Sequence, residues 1–96
     1  MVIMTHGPDT CAAVHAEIGE KARSGIGQMA AASKKHQVTA QGACVDVPAH
    51  QFYMLADAPN AHAINELMIE LQFFHWNTID IRAVTTVEET MSLVAQ

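Results

Sequence analysis

The chain has 96 residues, of which half are hydrophobic and 16 % are charged, and its formal net charge is −5. This length predicts a single domain over residues 1–96. The longest basic run is Lys34-Lys35, which argues against nucleic-acid binding because neutralising phosphates requires a basic patch. No secretory leader and no membrane span of about 20 apolar residues is evident, so we expect a cytoplasmic protein with no membrane partner.

Hydrophobic periodicity predicts four strands and three helices. Strands are predicted where apolar side chains alternate, and helices where they recur every three or four residues. Gly25 and Gly27 predict a kink or break in the first helix, since each glycine in a helix interior costs about 1 kcal/mol. The predicted elements are, in chain order, a strand at 2–6, a helix at 11–23 continued at 28–36, a hairpin of strands at 38–47 and 51–57, a helix at 61–74, a strand at 78–84 and a helix from 86 to about 94.

Local signals fix several ends of these elements. Gly7-Pro8 ends the first strand, because proline cannot donate to a sheet ladder. Asp9 or Thr10 is then suited to N-cap the first helix. Thr86 and Glu89 have the spacing of a capping box, which predicts the start of the last helix. In the second strand, simple alternation places Thr39 and Gln41 on the same face as Ala43, Val45 and Val47.

The predicted order is βαββαβ with a short C-terminal helix, which is the ferredoxin-like α+β pattern. Right-handed crossovers place two helices on one face of a four-stranded antiparallel sheet. The other face of the sheet stays open. Because the chain is also rich in apolar residues and poor in charge, we expect a homodimer through the open sheet face.

Several short motifs carry a family resemblance. They are Thr5-His6 at a strand end, Pro8-Asp9-Thr10-Cys11 before a helix, Gly42-Ala43-Cys44-Val45-Asp46 in the second strand, and Arg82-Ala83-Val84-Thr85-Thr86-Val87-Glu88-Glu89 near the end. With these motifs the chain resembles the dimeric α+β-barrel superfamily, which includes muconolactone isomerase-like, YCII-like and small monooxygenase-like proteins. The resemblance implies a homodimer with a cavity for a small organic ligand and assigns no catalytic residue.

Potential ligands fall at one rim of this predicted fold. The rim joins the end of the first strand, the start of the first helix, the hairpin turn and the segment after the second long helix. Cys11 and His15 are four residues apart, so on a helix they share one face. His6 adds a third donor, and this Cys-His-His set suits zinc, copper or nickel.

Other interpretations of these residues stay open. Cys11 is also interpretable as a packed helix-start residue with His6 and His15 solvated. A cysteine in a first helical turn is also a candidate nucleophile or redox-sensitive thiol. The N-terminus of the same helix is a candidate anion site. The two cysteines of the chain, Cys11 and Cys44, are too few for a secreted disulfide framework.

Four further residues are candidates for ligand binding. These are His50, His75, Trp76 and Arg82. His75 and Trp76 belong to an aromatic cluster that is alternatively core or dimer interface. Arg82 shares a strand face with Asp80 and is alternatively an ion-pair partner.

Two classes of function follow from these residues. The first is a protein that binds a small ligand or transition metal at the junction of the first strand and first helix. The alternative is a small-molecule isomerase-like or cofactor-independent monooxygenase-like enzyme that uses the barrel cavity, with His75 or His6 moving a proton. A third is an interaction subunit that uses neither site.

Overall fold

A computed structural model describes residues 1–95, and within them the chain forms a four-stranded antiparallel sheet and three α-helices. The α+β class predicted from the sequence is confirmed. The elements are β1 Val2–Thr5, α1 Ala16–Lys35, β2 Thr39–Asp46, β3 Gln51–Asp57, α2 Ala61–Glu70, β4 Thr78–Ile81 and α3 Val87–Val94. The order differs from the plain βαββαβ succession, because 3-10 segments at Pro8–Thr10 and Phe73–His75 are inserted after β1 and α2.

The strands lie in the order β2-β3-β1-β4, so β1 and β3 are central and β2 and β4 are edges. Val2 is opposite Met54 on one side and Ile81 on the other. The next residue, Ile3, is opposite Tyr53 and Asp80 on the other face of the sheet. Successive side chains point to opposite faces, so this register separates an apolar face from a mixed one.

The core lies between the apolar face and the two long helices. Val2, Met4 and Met54 are buried on the sheet side. The helix α2 contributes four buried side chains, among them Leu67 at 0 % exposure. The helix α1 contributes small residues such as Ala32 to the same cluster. Both helices therefore cover the face that carries Val2.

The first helix begins later than predicted, at Ala16 and not at Cys11. After the 3-10 segment, Cys11 has an extended backbone (φ −73°, ψ 124°). Its carbonyl accepts hydrogen bonds from the amides of Val14 and His15, each at 3.1 Å. This single turn does not continue into a helix, because His15 has an extended backbone (φ −120°, ψ 113°). Neither Asp9 nor Thr10 is therefore the N-cap of α1, and His15 occupies that position.

The predicted break at the two glycines is wrong, because α1 runs unbroken through both. Gly25 is buried where α1 crosses the second 3-10 segment. A Cβ at this position would lie 2.5 Å from Phe73 Cε1 and 3.0 Å from the carbonyl oxygen of Leu71. The glycine therefore permits close packing, which offsets its low helix propensity.

The predicted alternation along β2 is also wrong, because a β-bulge lies between Ala40 and Gly42. Ala40 pairs with Ala56 and Gly42 pairs with Leu55, so one residue of β2 is extra. A bulge shifts the side-chain alternation by one residue. Ala40, rather than Gln41, therefore shares the face of Ala43.

The C-terminal half follows the prediction with shorter elements. The helix α2 ends at Glu70, because Gln72 adopts a left-handed backbone (φ 62°) before the second 3-10 segment. The capping box is confirmed, since Thr86 Oγ1 accepts from the Glu89 amide at 3.0 Å. None of the helices within residues 1–95 is long and apolar enough to cross a membrane.

Candidate metal centre

Two histidines meet where the β1–β3 ladder ends. The His6 amide donates to the His50 carbonyl at 3.1 Å, which adds one backbone bond beyond the strands. Their imidazole rings lie edge to face with centroids 5.1 Å apart. His50 has a left-handed backbone (φ 54°) and closes the β2–β3 turn, where its amide donates to the Val47 carbonyl at 3.1 Å. The hairpin turn thus brings His50 beside His6.

Cys11 comes to the same place from the connection between β1 and α1. Pro8 starts the 3-10 segment, and the Cys11 amide donates to the Pro8 carbonyl at 3.4 Å. The thiol is free and half-buried. The first turn of α1 lies five residues further along, at Ala16. The helix N-terminus that would favour an activated thiolate or a bound anion is therefore not at Cys11.

His6, Cys11 and His50 form one three-residue cluster. Each offers one ligand atom, an imidazole nitrogen or the thiol sulfur, and the three atoms all lie within 4.8 Å of one another. All three residues are half-buried. They come from three separate segments, so the cluster exists only in the folded chain. This arrangement is a candidate site for one metal ion.

Trp76 borders the cluster on the side of His6. The indole and the His6 imidazole have centroids 5.4 Å apart. The indole also packs edge to face with Phe73, with centroids 6.3 Å apart, and it lies against the core. The indole Nε1 is buried without a hydrogen-bond partner among the described residues. A buried donor without an acceptor is costly by about 1–3 kcal/mol.

The other predicted site residues lie outside the cluster. His15 is the exposed N-cap of α1, so the predicted helical pairing of Cys11 with His15 does not exist, and His50 stands in its place. His75 is exposed and packs against Phe74 with ring centroids 4.5 Å apart. Arg82 forms an exposed ion pair with Asp80 at 2.8 Å, which was the alternative raised from the sequence.

A second polar cluster joins α1 to α2. His36 lies between two glutamates, with Nδ1 3.4 Å from Glu66 Oε2 and Nε2 3.3 Å from Glu70 Oε1. Lys35 Nζ donates to Glu70 Oε1 at 2.8 Å. This hydrogen bond is the main cause that lowers the pKa of Glu70 and raises the pKa of Lys35. These contacts link the C-terminal end of α1 to α2 at the surface.

Sequence reasoning placed His50 near the site and did not identify it as a partner of His6. The register was the missing signal: Thr5 is opposite Gln51, so the residues that follow and precede them, His6 and His50, have to face each other. The start of α1 was the second error, because it made Cys11 and His15 look like neighbours on one helix face.

Comparisons with protein-family models, with curated proteins and with solved structures give no match for this chain. Its function is therefore argued from its own residues.

Proposed function

We propose that this protein binds one transition-metal ion through His6, Cys11 and His50. The observation that carries the proposal is the approach of their three ligand atoms to within 4.8 Å of one another. Imidazole nitrogen and thiolate sulfur are the donors that zinc prefers in proteins, and copper and nickel accept them as well.

The ligand atoms need only a small adjustment to reach bonding geometry. Zinc bonds of about 2.0–2.3 Å at tetrahedral angles put ligand atoms roughly 3.3–3.8 Å apart. The separations in the cluster, at most 4.8 Å, therefore need to shorten by up to about 1.5 Å to fit a tetrahedral ion. All three side chains are half-buried on turn or strand-end positions, where rotation about the side-chain bonds supplies this movement.

Three protein ligands leave a fourth tetrahedral position for water or a small ligand. The Trp76 indole lies beside His6 and carries a buried N–H that has no acceptor among residues 1–95. Such a donor suits an anionic or oxygen-containing ligand held at the metal. We therefore propose that the small-molecule ligand expected from the sequence binds at this position.

We also propose that the fold is of the ferredoxin-like class found in dimeric α+β barrels. The sheet order β2-β3-β1-β4 supports it, as does the common core that both long helices form on one sheet face.

Metal content and metal titration test the proposal. Protein purified without chelator is analysed for zinc, copper and nickel, and chelator-treated protein is titrated with each ion. We expect one ion per chain and an increase in the unfolding temperature on binding. Cys11→Ser and His50→Ala are expected to weaken binding at least about 100-fold, since even the loss of an outer-shell partner costs 10- to 100-fold.

His15→Ala is the matched control, because His15 is a histidine close to Cys11 in sequence and outside the cluster. Its metal affinity is expected to equal that of the wild-type protein. Failure of all three ions to bind with one-to-one stoichiometry would contradict the proposal. Loss of binding in His15→Ala with binding retained in His50→Ala would contradict the ligand set.

A further inference from the structure

The helix α3 carries an apolar stripe that is largely exposed, and α3 has no buried residue. Val87, Met91 and Val94 lie at helical spacing on one side of it and are 74 %, 63 % and 74 % exposed. The helix is nevertheless well formed, with Thr86 capping its start. A helix of eight residues is too short to be stable in water by itself. The stripe therefore requires a partner surface.

An apolar groove of about 550 Å³ lies between α1 and the start of β2. Ile26 at its rim is 65 % exposed. The groove extends along α1 from Ile26 to Lys34, a separation of eight residues or about 12 Å. The stripe from Val87 to Val94, a separation of seven residues or about 10 Å, fits within this length. The residues that line the groove are Ile26, Met29, Ala30, Ser33, Lys34, Val38, Thr39 and Ala40.

Charge favours this groove over a second apolar groove of the molecule. The charged side chains of α3 are Glu88 and Glu89. Lys34 is the charged residue of the α1–β2 groove, and it forms no ion pair within residues 1–95. The other groove, of about 420 Å³ beside Ile69 and Phe74, carries Glu66 instead. An acidic helix therefore fits beside Lys34 and is repelled at the second groove.

The α3 helix of the same chain cannot easily reach this groove. It follows β4, the sheet edge opposite β2. Arg82 is held at that edge, because its amide donates to the Met1 carbonyl at 2.8 Å and its carbonyl accepts from the Met1 amine at 2.7 Å. The five steps from Arg82 to Val87 span at most about 18 Å. Crossing three strand spacings already uses about 14 Å.

We propose that α3 of one copy seats in the α1–β2 groove of a second copy, in a two-fold symmetric exchange. In such an arrangement both stripes and both grooves are covered at once. Burying three side chains of about 60–120 Å² each against an equal groove area, twice, removes roughly 700–1,400 Å² from water. The upper part of this estimate reaches the lower end of the range for specific protein interfaces, about 1,200 Å².

Disulfide trapping tests which chain supplies the helix. In a Cys11→Ser, Cys44→Ser background, Met91→Cys and Ala30→Cys are made in separate proteins, mixed after dilution and oxidised. We expect a covalent dimer of twice the 10.4 kDa chain mass in the mixture. The doubly substituted chain, oxidised alone, is expected to give the same dimer. A disulfide within one chain overturns the proposal, and so does the absence of any disulfide.

The mass in solution gives an independent test with matched variants. The wild-type protein is expected to be a dimer at micromolar concentration, Met91→Glu a monomer, and Ser92→Glu, on the polar side of α3, a dimer. Circular dichroism checks that each variant is folded. A monomeric wild-type protein overturns the proposal. A dimer that survives Met91→Glu and is lost in Leu55→Asp, on the open sheet face, also overturns it.

Discussion

His6 and His50 face each other across the last rung of the β1–β3 ladder, joined by a 3.1 Å backbone hydrogen bond and by edge-to-face contact of their rings at 5.1 Å. The backbone bond does not depend on either side chain. Both imidazoles can therefore be removed while the turn remains. This separation of structure from ligand chemistry makes the candidate metal centre testable by substitution.

His50 gives the first prediction, because its left-handed backbone strains any residue with a Cβ. We expect His50→Gly to be about 1 kcal/mol more stable than His50→Ala in the metal-free state. Both variants are expected to lose metal binding, since both lack the imidazole. Urea unfolding of chelator-treated protein measures the difference. Equal stabilities would show that the turn relaxes away from the left-handed conformation.

The single tryptophan of the chain gives a second prediction. Trp76 lies 5.4 Å from His6, so a paramagnetic ion bound beside His6 should quench its fluorescence by close-range energy or electron transfer. We expect copper to quench the emission strongly, with an end point at one ion per chain, and zinc to leave the intensity largely unchanged. Cys11→Ser is expected to remove the saturable quenching. Quenching of the same size in that variant would place the copper elsewhere.

Two glycines of α1 form a matched pair for the third prediction. Gly25→Ala places a methyl group 2.5 Å from Phe73 Cε1, and we expect a loss of about 1–3 kcal/mol from overpacking. Gly27→Ala meets no atom within 4 Å and is expected to gain about 0.5–1 kcal/mol from helix propensity. Chemical denaturation measures both. The opposite signs of the two stability changes separate the effect of packing from that of helix propensity. A gain in stability in Gly25→Ala would contradict the close contact of α1 with Phe73.

The Lys35–Glu70 hydrogen bond gives a pH-dependent prediction. Because the pKa of Glu70 is lowered from 4.5 in the folded state, its contribution to stability is present above about pH 4.5 and is lost as the pH falls through the folded value. We therefore expect wild-type protein to be slightly more stable than Glu70→Gln at neutral pH, with the two curves converging in acid.

Urea unfolding between neutral and acidic pH measures this convergence. Glu20→Gln serves as the control, since Glu20 is exposed and forms no ion pair within residues 1–95. Its difference from wild type should stay constant across the same pH range. If the stability difference between Glu70→Gln and wild type widened in acid, it would contradict the lowered pKa of Glu70.

The sequence predicted elements well where the signal was local. The strand β3 has the predicted bounds, and the Thr86 cap starts α3 as its spacing indicated. Prediction failed where tertiary contacts determine the local structure. Gly25 looks like a helix breaker until Phe73 is placed against it. The bulge in β2 is different, because Gly42 beside it is a local signal: a glycine inside a strand often marks a bulge.

In the candidate site, too, the residues with a local sequence signal were predicted and the residue placed by tertiary structure was not. His6 and Cys11 were identified from their place between a strand and a helix, and the cluster contains both. The third member required knowledge of the strand register, which depends on the β2–β3 turn. His15 was favoured because the first helix was predicted to begin at Cys11. Both residues instead have an extended backbone, so they do not share a helix face.

The bulge in β2 also affects whether another strand can pair with the edge of the sheet. β2 is an edge strand of eight residues, exposed along its whole length, and such an edge is a template for adding another strand. The extra residue interrupts the regular row of amides and carbonyls, and Gln41 turns its side chain back to Asp57 at 2.6 Å. The edge is thereby protected against open-ended growth of the sheet, which leaves side-chain surfaces as the means of association.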